Sequence, residues 1–95
     1  MKSPAMPRQP SPATLRNLGP RSEQLLASAG ITTVAQLRKL GSVAAYACVQ
    51  RVSGSVSLNL LWALEGALTD LPWQEVAREY RTSLLLALEE QQRVV

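Results

Sequence analysis

Ninety-five residues, 46% of them hydrophobic and 18% charged, describe one small domain with a core rather than a disordered chain. There is no histidine and a single cysteine, Cys48, which excludes Ser-His-Asp and Cys-His catalysis, histidine-bound metals, zinc fingers and any intrachain disulfide. The net charge of +3 is unevenly spread: two cations over 1–13, five cations to one acid over 14–52, three cations to six acids over 53–95. That asymmetry points to an anionic partner for the first half, with plain surface solvation as the alternative.

Residues 1–13 carry Pro4, Pro7, Pro10 and Pro12 and are expected to be a disordered proline-rich tail, with the helical domain at 14–95. From Thr14 onward no stretch alternates for long enough to read as a strand, so the predicted class is all-α: a compact bundle of five or six short helices. A short first helix is expected over Thr14 to Leu18, stopped by Gly19. Pro20 can open a second helix, whose missing N–H costs nothing there; it runs to about Ala29 with Leu25 and Leu26 inward. Thr33 and Gln36 form a capping box for a third helix over 34–40, with Leu37 and Leu40 inward. Ser42 is expected to cap a fourth, over 43–52, that packs Val43, Tyr46, Val49 and Val52.

Ser53-Gly54-Ser55 reads as a loop, after which Ser57 caps a fifth helix over 58–69 with Leu60, Leu61, Leu64 and Leu68 in one stripe. Pro72 starts a last helical region, about 72–92, with a break expected near Ala77. Its inward stripe is Trp73, Ala77, Tyr80, Leu84 and Leu88, which leaves Leu86 on the far side. Glu65, alone among apolar neighbours, is expected to be partly buried and paired with an arginine. Trp62 and Trp73 read as core residues.

The segment L-R-N-L-G-P-R-S, Leu15 to Ser22, resembles the helix-hairpin-helix DNA-binding motif, whose turn has the form G-h-G-P-[KR]-[ST]. Its physical logic is specific. A tight turn at Gly19 bares the backbone N–H groups at the start of the next helix, where they and the helix dipole hold a phosphate. Arg21 adds a charge-assisted bond and Ser22 a hydroxyl. Asn17 stands in place of the motif's first glycine and tolerates the left-handed conformation better than most residues. A second copy is suggested by L-R-K-L-G-S, Leu37 to Ser42, which would bring Arg38, Lys39, Gly41 and Ser42 to a second phosphate. A short amphipathic helix with a glycine C-cap gives the same pattern.

The series L-x-x-L-G (Leu15 to Gly19), A-G-I-T-T (Ala29 to Thr33), L-x-x-L-G (Leu37 to Gly41) and Ala45-Tyr46 resembles the C-terminal domain of the TfoX/Sxy family. S-L-N-L-L-W-A-L-E-G-A-L, Ser57 to Leu68, resembles that family's most distinctive block, and Trp73, Arg81 and Leu84-Leu85 its tail. The likeness implies a helical module related to helix-hairpin-helix domains, from bacterial regulators that raise expression of DNA-uptake genes in natural competence. Regulators of that family carry an α/β domain ahead of this module, where here a proline-rich tail stands. For a standalone module, one expectation is a transcriptional regulator protein as partner that supplies the missing half; the other is a module that does not regulate competence.

Two functional readings follow, neither enzymatic, since no nucleophile–base pair or metal cluster stands out. The first is a regulatory module that binds double-stranded DNA phosphates through residues 19–22. The second is a protein–protein interaction module of a transcriptional regulator without DNA contact. No cofactor, membrane partner or small-molecule substrate is expected. The longest apolar run, Val43 to Val49, is far short of the roughly 18 residues of a membrane span. With no signal-peptide stretch, and with Cys48 expected as a small core residue, the expected location is cytoplasmic.

Overall fold

The computed structural model describes residues 10–93. Within them lie six α-helices and no strand: α1 (Pro20–Ser28), α2 (Val34–Leu40), α3 (Ser42–Ser53), α4 (Leu58–Thr69), α5 (Trp73–Glu79) and α6 (Arg81–Arg93). The fold is all-α, as the absence of alternating stretches predicts. α4 is its centre: Leu60, Leu61, Trp62, Ala63, Leu64, Gly66 and Ala67 are all buried, so this helix is covered on most sides. α3 lies beside it and also carries α1, α2 and α6, while α5 folds back on α4. The core joins Leu18, Leu26, Ile31, Leu37, Tyr46, Val49, Leu61, Leu64, Val76, Leu84 and Leu88, with at least one residue from each helix.

Local chemistry sets the helix ends. The Thr33 hydroxyl accepts from the Gln36 amide at 3.1 Å, and Gln36 Oε1 accepts from the Thr33 amide at 3.1 Å, closing both halves of the capping box. Ser57 Oγ accepts from the Asn59 amide at 3.0 Å at the start of α4. Gly41, at φ 84°, ends α2 and begins α3 with no spacer between them, a backbone path that a β-carbon would resist.

Several expectations change. No α-helix forms over Thr14 to Leu18; a single 3-10 turn over Pro12–Thr14 takes its place. Five residues ahead of Gly19 are too few to nucleate an α-helix, whereas Pro12 is already set for the first position of a tighter turn. That turn also moves the start of the folded unit ahead of Thr14: Pro12 is buried, and the Pro10 carbonyl accepts from the Val34 amide at 2.9 Å. The rest of the expected tail, 1–9, lies outside the described residues. Ser42 does not cap α3 but is its first residue, with Gly41 at the cap position. The final helical region breaks at Tyr80, not near Ala77. That break resets the helical face, so Val76 is buried while Trp73 and Tyr80 are exposed. Leu40 and Val52 are exposed as well, at the ends of their helices. Cys48 is half-buried against the core rather than within it.

Candidate functional site

The segment that leads into α1 is held from both sides. Asn17 is left-handed at φ 71°. Its Nδ2 donates to the Leu71 carbonyl at 2.7 Å, and its Oδ1 accepts from the Trp73 amide at 3.2 Å. Next to it, Arg16 Nη1 donates to the Asp70 carbonyl at 3.3 Å and lies 3.6 Å from the Asp70 carboxylate. Both partners of that ion pair are exposed, so it contributes little by itself. Asp70 is left-handed too, at φ 61°, and the chain turns there from α4 into α5. Two tight turns therefore meet, and the Asn17 amide is the bridge.

Beyond the bridge, Gly19 takes an extended conformation and opens α1 without a capping side chain. Pro20 has no N–H, and the first helical bond is from the Glu23 amide to the Gly19 carbonyl, at 2.9 Å. The amides of Arg21 and Ser22 thus have no acceptor inside the helix. Arg21 is exposed and Ser22 half-buried. They border a cleft of about 630 Å³ whose walls come from α1, the loop between α3 and α4, the first turns of α4, and the start of α5. The loop wall is fixed from beneath: the buried Tyr46 hydroxyl donates to the Val56 carbonyl at 2.6 Å. Burial pushes the Tyr46 phenol above its ordinary value.

Of the eight residues singled out from the sequence, Asn17, Arg21 and Ser22 line this cleft, with Gly19 between them in the chain. The Asn17 side chain is committed to Leu71 and Trp73, so its place at the turn is architectural. Arg38, Lys39, Gly41 and Ser42 are not brought to the cleft. Arg38 and Lys39 occupy the last turn of α2, where cations complement the negative end of the helix dipole. Ser42 is 5% exposed, and its hydroxyl donates to Glu65 Oε1 at 2.6 Å. The half-buried Glu65 has this serine as partner, not the arginine expected. Sequence reasoning missed the far wall of the cleft, Ser55, Asn59 and Trp73. Ser-Gly-Ser marked a loop, but no local spacing relates that loop to residue 21.

The chain belongs to the family of the TfoX C-terminal domain, whose family model matches residues 10–88. The match begins at Pro10, the residue whose carbonyl caps the start of α2. The crystal structure of an uncharacterized protein from Listeria monocytogenes is similar, with 29% sequence identity and a TM-score of 0.74 over 86% of this chain and 93% of that one. No curated protein matches the chain. Among the described residues no three His, Cys, Asp or Glu side chains gather as metal ligands, and no helix is long and apolar enough to cross a membrane.

Proposed function

We propose that this chain is a non-enzymatic regulatory module that holds DNA phosphates at the Gly19–Ser22 turn, without reading base sequence. The observation that carries this reading is the start of α1. Its uncapped amides lie beside the exposed Arg21, and no carboxylate lines the adjoining cleft among the described residues. Membership of the TfoX C-terminal domain family supports a regulatory setting, with competence-type control of DNA uptake in the cytoplasm as the wider role. The excess of cations over 14–52 has the sign this partner requires.

Titration with non-specific duplex DNA at two salt concentrations tests it. Few phosphate contacts are available, so the dissociation constant should be on the order of 10⁻⁴ to 10⁻⁶ M and rise with salt by a log–log slope of only about one to three. Arg21→Glu should lower affinity for all sequences alike and reduce the salt slope by about one. The fold should survive, because an acid near a helix N-terminus is favoured by the dipole. Arg78→Glu, on α5 in the acidic half, is the control and should leave binding nearly unchanged. Undiminished binding by a folded Arg21 variant removes the turn from the mechanism. A second reading, a docking module for a transcriptional regulator, is favoured by α6. There Leu86 is exposed beside a shallow groove formed with Leu85 and Leu88. Amide shifts confined to residues 72–92 on adding such a partner are its signature.

A further inference from the structure

The cleft beside α1 carries more than a phosphate contact needs. Its apolar lining is Leu25, Val56, Leu60 and Ala63, and Trp73 stands at its edge with 37% of its surface open. Ser53, Ser55 and Asn59 add hydroxyl and amide groups, and these side chains make no hydrogen bond among the described residues. Arg21 is the one charged residue that lines the cleft among those described. A ligand that satisfies this surface has one negative group, a flat ring and an edge of mixed donors and acceptors. The volume lies within the range of about 300–1,000 Å³ typical of clefts for small organic groups. The Asn17 bond to the Trp73 amide ties the aromatic edge to the turn that precedes Arg21, so the two features are held in one frame.

We infer that this cleft takes one nucleotide unit, its phosphate at Arg21 and the start of α1 and its base against Trp73. The inference rests on the phosphate reading of that turn and adds a preference to it. In a duplex the bases are paired and stacked, so only phosphates reach the site. An unpaired strand offers phosphate and base together.

Tryptophan fluorescence follows this directly, because Trp62 is buried in the core and Trp73 borders the cleft. The full chain is titrated with an oligothymidylate strand, a duplex of equal length, and thymidine monophosphate. The strand should quench fluorescence and bind about tenfold or more tightly than the duplex, the order of one base–aromatic stack. Trp73→Leu should abolish that margin and leave duplex affinity unchanged, whereas Trp73→Phe should keep most of it. Thymidine monophosphate that matches the strand assigns the ligand as a free nucleotide; a tighter strand assigns it as unpaired nucleic acid. Equal affinity for strand and duplex without quenching, or a folded Trp73→Leu chain that retains the margin, overturns the inference. In that event Arg21→Glu decides separately: weakened duplex binding leaves the phosphate reading standing, and undiminished binding takes both. Should Trp73→Leu fail to fold, the amides of Ser55 and Asn59 in the unaltered chain must shift on adding the strand, and their silence overturns the inference.

Discussion

At position 17 the backbone requires a left-handed residue, and the facing turn requires a side chain with both a donor and an acceptor. Glycine meets the first demand and fails the second. Asn17→Gly should therefore lose about 1–2 kcal/mol of stability, by leaving the Leu71 carbonyl and the Trp73 amide without their protein partner. Asn17→Ala loses the same bonds and keeps the strain of a β-carbon in that conformation, which costs about 1–2 kcal/mol more. Urea unfolding of the two variants checks this order, and equal stabilities would mean that φ plays no part. The sequence alone reveals half of the arrangement. Asparagine in a glycine slot signals the backbone conformation, but its partners lie 54 and 56 positions away, where no local spacing reaches. Ser42 is similar: a serine after glycine reads as a cap, and only the packing of α3 on α4 reveals Glu65 as its acceptor.

For whole elements, legibility depends on how local the determinants are. α2 and α4 have the bounds expected from sequence, 34–40 and 58–69, because capping groups within three residues of each start define them. The boundary between α5 and α6 has no such local signal. A stripe of Trp73, Ala77, Tyr80, Leu84 and Leu88 suits one continuous helix, and it passes over Val76, which the break at Tyr80 turns inward. The seam between α4 and the following turn leaves no room for a side chain at Gly66. A β-carbon on Gly66 would run into Asn17 Nδ2 and the Leu71 carbonyl oxygen. The backbone oxygen cannot rotate away, so Gly66→Ala should push the turn off α4 and destabilise by about 1–3 kcal/mol. Alanine's better helix propensity, worth about 1 kcal/mol, opposes this and does not cancel it. Thermal unfolding reads the balance; a higher midpoint for the variant would show that the turn yields freely.

Across the whole molecule, the Tyr46 phenol couples stability to alkaline pH. Burial raises its pKa in the folded state above the ordinary value near 10, so the folded chain keeps a proton that the unfolded chain releases. That contribution is present in full below about pH 10 and is lost as pH rises past it toward the raised folded value. Tyr46→Phe should flatten this alkaline decline and cost about 1–2 kcal/mol at neutral pH, because the Val56 carbonyl loses its donor. Denaturant unfolding at a series of alkaline pH values separates the two effects, and a decline of equal steepness in the Phe variant would assign it to other groups. The bridge from Asn17 to Leu71 and Trp73 has a consequence in time as well as in space. Closing a loop of that span orders a long stretch of chain for only a few bonds. During synthesis Arg21 leaves the ribosome well ahead of Trp73, so a half-made chain presents the charged turn while the aromatic edge does not yet exist. On the proposed reading, a nascent fragment would attract an anion with no cleft in which to seat it, and the complete site would arrive only when the last third of the domain had docked.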